Sequence, residues 1–174
     1  MVVTMTKGQQ HKSATISCQH TGNIRCVKPS YKQVDVFLQR ADDLCLKSNQ
    51  RFTDLRQQVF SLICQSDLPL GAYALLDLMK DSGRSTAPPT VYRALDFLQE
   101  QGFVHRLASN NTYFACAHPQ HQHEAVFLVC RQCGFTQELH TKDIYNAVES
   151  SANKAMFKIE HASVEVTGLC SQCQ

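Results

Sequence analysis

Two cysteine pairs, Cys130-Arg131-Gln132-Cys133 and Cys170-Ser171-Gln172-Cys173, are the residues of this chain best suited to chemistry. Thiolates two residues apart can face one cation, and two such pairs complete the tetrahedral shell that Zn²⁺ takes in structural sites, with Zn–S bonds of ~2.3 Å. Four thiolates leave no open position for a substrate, so this spacing predicts a staple and not a catalytic centre. The competing reading is a pair of redox CxxC motifs. Those need a strand-to-helix setting, which is not evident at either pair.

A second constellation is less regular. His105, Cys116, His123 and Glu138, with His118, His121, Glu124 and His161 nearby, offer nitrogen, sulfur and oxygen donors. One thiolate and one carboxylate beside two imidazoles leave a divalent ion near neutrality, a weaker and more reversible shell than four thiolates. Each residue alone also has an ordinary reading: His105 as a hydrogen-bonded surface histidine, Cys116 as a small buried apolar group. A zinc deaminase needs a glutamate two residues after a ligand histidine, and Glu124 abuts His123 directly. The chain shows no Ser/His/Asp set, phosphate loop or dinucleotide fingerprint, and an enzyme is not expected.

A third candidate lies on a helix. In Thr90-Val91-Tyr92-Arg93-Ala94-Leu95-Asp96-Phe97-Leu98, the residues Val91, Ala94, Leu95 and Leu98 form an apolar stripe, leaving Thr90, Arg93, Phe97 and Glu100 facing elsewhere. Arg93 is then placed either as an ordinary surface cation or as a bidentate partner for guanine O6 and N7 in a major groove.

These residues need elements to hold them. Residues 1–30 carry no apolar period and read as a disordered extension, in which His11, Cys18, His20 and Cys26 form only a compositional hint of metal binding. From Tyr31, apolar positions at Val34, Phe37, Leu38, Ala41, Leu44 and Cys45 follow helical spacing. Thr53 stands as an N-cap before a second helix carrying Leu55, Val59, Phe60, Leu62 and Ile63, which breaks near Pro69 and Gly71. A short helix over 72–79 and a proline-opened helix over 90–101 follow. Phe103–Leu107 and Thr112–Cys116 then read as a hairpin around Ala108-Ser109-Asn110-Asn111. Helices followed by a hairpin give the order of a winged helix.

Beyond a polar, His-rich stretch, Val126–Cys130 reads as a buried strand, Phe135–Leu139 as a second, 141–156 as a helix, and 158–166 as a strand ending at Gly168. The fold class is α+β: a winged helix over 31–116, a hinge over 117–125 and a small α/β unit over 126–174. An α/β unit under 60 residues is marginal without a metal, a disulfide or a partner chain.

Composition bounds the function. Of 174 residues, 43% are hydrophobic and 18% charged, enough apolar content for a buried core. No apolar run reaches 18 residues and no export signal opens the chain, so the nine cysteines favour metal over disulfide and the chain is placed in a reducing cytoplasm. Residues 1–116 carry 13 Lys/Arg against 9 Asp/Glu, while residues 117–174 carry 4 against 6, which makes the N-terminal part the nucleic-acid candidate.

Over residues 31–174 the sequence resembles the ferric uptake regulator superfamily, and within it the zinc uptake branch. The resemblance rests on Phe52-Thr53-Asp54-Leu55-Arg56, on Ala72-Tyr73-Ala74-Leu75-Leu76-Asp77-Leu78, and above all on Pro88-Pro89 and the helix after them, running into Gln101-Gly102-Phe103-Val104-His105. It implies a homodimer that binds double-stranded operator DNA when zinc-loaded and represses zinc-acquisition genes. It implies two Zn²⁺ per chain: a structural ion on Cys130, Cys133, Cys170 and Cys173, and a regulatory ion on His105, Cys116, His123 and Glu138. It implies DNA contacts through Arg93, Tyr73, Thr90 and Tyr92, and a dimer–dimer contact on DNA through Asp77 and Lys80. Arginine is usual at the latter position, and lysine lacks its planar fork. Val126-Phe127-Leu128 stands where the iron-sensing branch carries a denser His/Asp tract, which favours zinc. The remaining alternatives are an iron or peroxide sensor of the same superfamily, a zinc enzyme with an open coordination position, and a zinc-ribbon adaptor that binds only protein.

Overall fold

The computed structural model describes residues 34–83, 86–116, 119, 125–160 and 162–174. Four helices open it: α1 (Val34–Lys47), α2 (Asp54–Gln65), α3 (Ala72–Asp81) and α4 (Pro88–Glu100). A two-residue strand β1 (Leu70–Gly71) precedes α3, and the hairpin β2 (Val104–Leu107) and β3 (Thr112–Ala115) follows α4. The C-terminal half contains β4 (Ala125–Cys130), β5 (Thr136–His140), α5 (Lys142–Lys154) and β6 (Val164–Gly168). No helix among the described residues is long and apolar enough to cross a membrane.

The apolar stripes of the helices meet in one core. Ala41 and Cys45 of α1, Val59, Phe60 and Ile63 of α2, Leu75 and Met79 of α3, and Val91, Ala94, Leu95 and Leu98 of α4 are all buried in it, together with Phe52, Phe103 and Val104. Phe52, Phe60 and Phe103 form its aromatic centre, with ring centroids 5.7 to 6.2 Å apart in edge and tilted geometry. Pro88 and Pro89 fill the first turn of α4, where an N–H is not needed.

Several expectations need adjusting. Leu70 and Gly71 are more than a helix break: they pair antiparallel with Tyr113 and Thr112, giving the sheet order β1-β3-β2. Thr53 occupies the N-cap of α2 with an extended backbone, but its side chain makes no cap hydrogen bond. Phe97, assigned from periodicity to the outward face of α4, is buried, because the Arg56 guanidinium lies 3.4 Å over its ring and closes that side. The last strand begins at Val164, six residues later than its apolar pattern suggested.

In the C-terminal half β4 is central. It pairs antiparallel with β5 and parallel with β6, in the order β5-β4-β6. The parallel pairing needs a crossover, and α5 lies within it. Among its residues none is buried, and Ile144 on α5 and Val166 on β6 are exposed apolar groups.

Candidate metal centres and nucleic-acid interface

The four-cysteine cluster is built by two chain reversals. After β4, the Cys130 N–H donates to Phe135 O and the Gly134 N–H returns to Cys130 O at 2.9 Å. Gly134 has φ 72°, a left-handed conformation that a residue with a Cβ adopts only under strain. At the C-terminus the Cys173 N–H donates to Cys170 O at 2.9 Å, a second tight turn. The two turns are brought together by the parallel β4–β6 register, in which Cys130 stands opposite Gly168, and by the Arg131 N–H donating to Gly168 O at 3.0 Å.

All four sulfurs lie within 4.8 Å of one another, and Cys133 Sγ is 3.7 Å from Cys170 Sγ. A disulfide requires ~2.05 Å, whereas a tetrahedron with ~2.3 Å arms has edges of about 3.8 Å. The spacing therefore fits a shared metal ion. Backbone N–H groups add to this: those of Cys133, Cys170 and Gln132 hold the Cys130 thiol down at about 6. Cys173 is pushed up to about 12, first by its hydrogen bond with Cys170, then by burial and the other thiols. One thiolate forms readily and further ionisation is opposed, so a full set of four thiolates needs a cation among them.

The second cluster straddles the two sheets. His105 lies on β2, opposite Phe114, and Cys116 follows β3, its N–H donating to Phe103 O at 2.9 Å. Glu138 lies on β5, opposite Phe127 of β4. His105, Cys116 and Glu138 offer ligand atoms all within 4.8 Å of one another, and His105 Nε2 is 3.3 Å from Glu138 Oε1. His123, the fourth expected member, lies outside the described residues, as do His118, His121 and His161.

This cluster is dry. Cys116 is fully buried and Glu138 is only 6% exposed. The His105 ring is packed by Phe114 and Phe127, with centroids at 5.3 and 5.1 Å, and those two rings stand edge to face at 5.1 Å. Leu107, Phe127 and Val129 complete a small apolar cluster shared by the hairpin and the C-terminal sheet. Burial alone pushes the His105 pKa down, but the hydrogen bonds and charges of Cys116 and Glu138 outweigh it and raise it to about 9. A buried carboxylate in such a place needs a positive partner. Protonated His105 supplies one, and a divalent ion is the other that this mixed donor set fits.

The sequence profile described as "Ferric uptake regulator family" matches residues 47–167. The chain is 38% identical over 137 residues to the zinc uptake regulation protein of Escherichia coli (strain K12), covering 78% of this chain and 80% of that protein. The chain belongs to the ferric uptake regulator family. Among solved structures of related proteins, a zinc uptake regulator complexed with zinc and DNA superposes with a TM-score of 0.77 at 36% identity, over 80% of this chain and 94% of that one. Holo XcZur superposes with a TM-score of 0.73 at 39% identity, over 80% and 97%.

The residues expected to face a nucleic acid lie on α3 and α4. Arg93 is exposed on α4, and Thr90 is half-buried in its first turn. Tyr92 packs its ring partly against the core, which leaves less of it for contact. On α3, Tyr73 is 71% exposed, a large apolar surface to leave in water, and Asp77 and Lys80 are exposed further along the helix. The residue that sequence reasoning overlooked is Glu165, a single acidic residue on β6 with no spacing signal. It contacts the hairpin tip, as described below.

Two outcomes are expected. Cys133→Ser, by opening the four-sulfur shell, leaves the C-terminal half without its staple. Circular dichroism should show loss of β structure and the thermal midpoint should fall, because structural zinc sites contribute on the order of 10 kcal/mol to folding in small domains. The second concerns pH: the metal-free protein carries a proton on His105 below about 9, and a metal ligand must release it. The affinity of a divalent ion for the His105 cluster therefore rises with pH, by up to about tenfold per unit for each proton displaced. Isothermal titration in buffers of different ionisation enthalpy would count the protons released.

Proposed function

We propose that this chain is a zinc-responsive transcriptional repressor, binding double-stranded operator DNA as a homodimer when zinc-loaded and thereby repressing zinc uptake genes. The supporting observation is the convergence of His105, Cys116 and Glu138, drawn from the two halves of the molecule, within 4.8 Å. A purely structural site has no need to draw ligands from both the wing hairpin and the C-terminal sheet. The family relationship and the zinc- and DNA-bound relative support the same reading.

In this reading residues 31–116 are the DNA-binding unit, 117–125 the hinge and 126–174 the dimerisation unit. Each chain takes two zinc ions, a permanent one on Cys130, Cys133, Cys170 and Cys173 and a reversible one on His105, Cys116, Glu138 and His123. Zinc supplies the positive charge that lets a thiolate, a carboxylate and imidazoles share one dry site. Those side chains hold the wing hairpin against the C-terminal sheet and so fix the separation and tilt of the two α4 helices in a dimer. Moving such an equilibrium from 1:99 to 99:1 takes about 5.5 kcal/mol of differential affinity, within reach of a multidentate site.

Arg93 reads a base edge, with Tyr73 and the first turn of α4, Thr90 and Tyr92, completing the contact. Asp77 and Lys80 lie on the exposed side of α3, where adjacent dimers would meet on DNA. The second chain covers the exposed Ile144 and Val166, for α5 with no buried residue is otherwise a helix with an unused apolar stripe. The cytoplasm is the compartment that suits a DNA-bound protein with reduced thiolate sites.

Operator binding can be measured on duplexes taken from upstream of zinc-transport genes in the source genome. Cys116→Ser should abolish the zinc dependence of binding while leaving the dimer intact; zinc-dependent affinity equal to that of the wild type would remove the hinge cluster from the mechanism. Arg93→Ala should weaken specific binding by about 1 to 3 kcal/mol at the base it reads and leave zinc uptake unchanged. Sequence preference retained at fixed salt would refute its reading role.

A further inference from the structure

One contact between the two halves involves none of the metal-ligand candidates. The hairpin tip between β2 and β3 turns through Ala108-Ser109-Asn110-Asn111, and Asn111 takes a left-handed φ of 54°. The first two amides of this tip are directed at β6. The Ala108 N–H donates to Glu165 Oε1 at 2.6 Å and the Ser109 N–H donates to Glu165 Oε2 at 3.2 Å, bridging 57 and 56 residues of sequence. Successive backbone amides converging on one carboxylate form a small anion nest, and charge-assisted bonds of this kind are stronger than neutral ones.

The contact is tied to the metal cluster by the sheet. Glu165 stands opposite Phe127 in the parallel β4–β6 register, and the Phe127 ring lies 5.1 Å from those of His105 and Phe114. One end of the hairpin therefore carries His105 beside Glu138, and the other rests on Glu165. Burial disfavours the charged carboxylate, but the Ser109 hydroxyl and the two amides outweigh that and hold its pKa below the ordinary range. It is a formed anion at neutral pH.

We infer that Glu165 is a positioning residue for the metal response: its carboxylate grips the wing tip through the Ala108 and Ser109 amides only in the pose that also gathers His105, Cys116 and Glu138, so that latch and metal site strengthen one another. The inference rests on the hinge cluster being the regulatory site. Because the carboxylate and the amides belong to different halves, both bonds are lost when the halves separate. Two events that favour one pose are coupled reciprocally: whatever weakens the latch weakens zinc binding, with every zinc ligand still in place. Glu165 ligates nothing and touches no DNA in this scheme.

The test uses full-length wild-type, Glu165→Ala and Glu165→Gln dimers, with zinc as the probe in competition with a chromophoric chelator. The alanine variant should bind zinc at the hinge about tenfold more weakly, the order expected for losing a charge-assisted pair across a two-state interface. The glutamine variant should fall between the two, because its carboxamide oxygen can accept one amide while its NH₂ faces the other donor. Dimer mass, zinc retention on the four cysteines and the cobalt(II) absorption spectrum of the hinge site should match the wild type, as they would not if Glu165 supported the fold or ligated the ion. Wild-type affinity in both variants, or an altered cobalt spectrum, overturns the positioning role. If alanine compromises folding, the glutamine variant decides. A wild-type protein that takes no second zinc would instead sink the hinge reading itself, a result distinguishable from failure of the variants alone.

Discussion

A buried carboxylate must face positive charge, and in this molecule the carboxylate and its surroundings come from two different sheets. Glu138 projects from the C-terminal sheet into a dry space whose other walls are His105 and Cys116, from the hairpin region. The apolar rings of Phe114 and Phe127 keep water out and so raise the cost of any arrangement in which the charges are not matched. The pose of the winged helix relative to the C-terminal sheet is for this reason an electrostatic matter as much as a packing one. Among the described residues the buried apolar cluster shared by the halves is small, formed by Leu107, Phe114, Phe127 and Val129, which gives the polar groups a large part in how firmly they hold.

The four-cysteine cluster solves a different problem. The C-terminal half has few buried side chains of its own, chiefly Val126, Phe127, Val129 and Cys130 of β4, and α5 contributes none. A core this thin cannot fix the ends of a three-stranded sheet. Joining the turn after β4 to the turn after β6 closes the sheet at one end, while α5 stays without a buried residue. The two clusters differ in their donors, four soft thiolates in one against a mixture of nitrogen, sulfur and oxygen in the other.

Much of this could be read from the residues. The cysteine pairs, the apolar stripes of α1 to α4 and the hairpin around Ser109 were visible because each depends on local spacing, and His105, Cys116 and Glu138 were gathered as expected. What escaped notice depends on partners remote in sequence. Pairing of Leu70 and Gly71 with β3 is decided by where α2 delivers the chain. Burial of Phe97 is decided by Arg56, 41 residues earlier, stacking on its ring. The parallel β4–β6 register carries no signature in either strand, and Glu165 on its own is one acidic residue among fifteen. Periodicity reports which face an element buries, but not what a neighbouring element brings to the opposite face.

Parallel pairing of β4 with β6 also orders events in time. Of the three strands of the C-terminal sheet the central one is synthesised first and β6, one of its two neighbours, last, with the second cysteine pair following it at Cys170 and Cys173. The helical half can fold while the ribosome is still elongating, as N-terminal units generally do, whereas the C-terminal sheet cannot close until β6 has emerged. A nascent chain thus has its helix α4 formed before the sheet that packs beside the following hairpin is complete, and Glu138 waits on β5 for neighbours already in place.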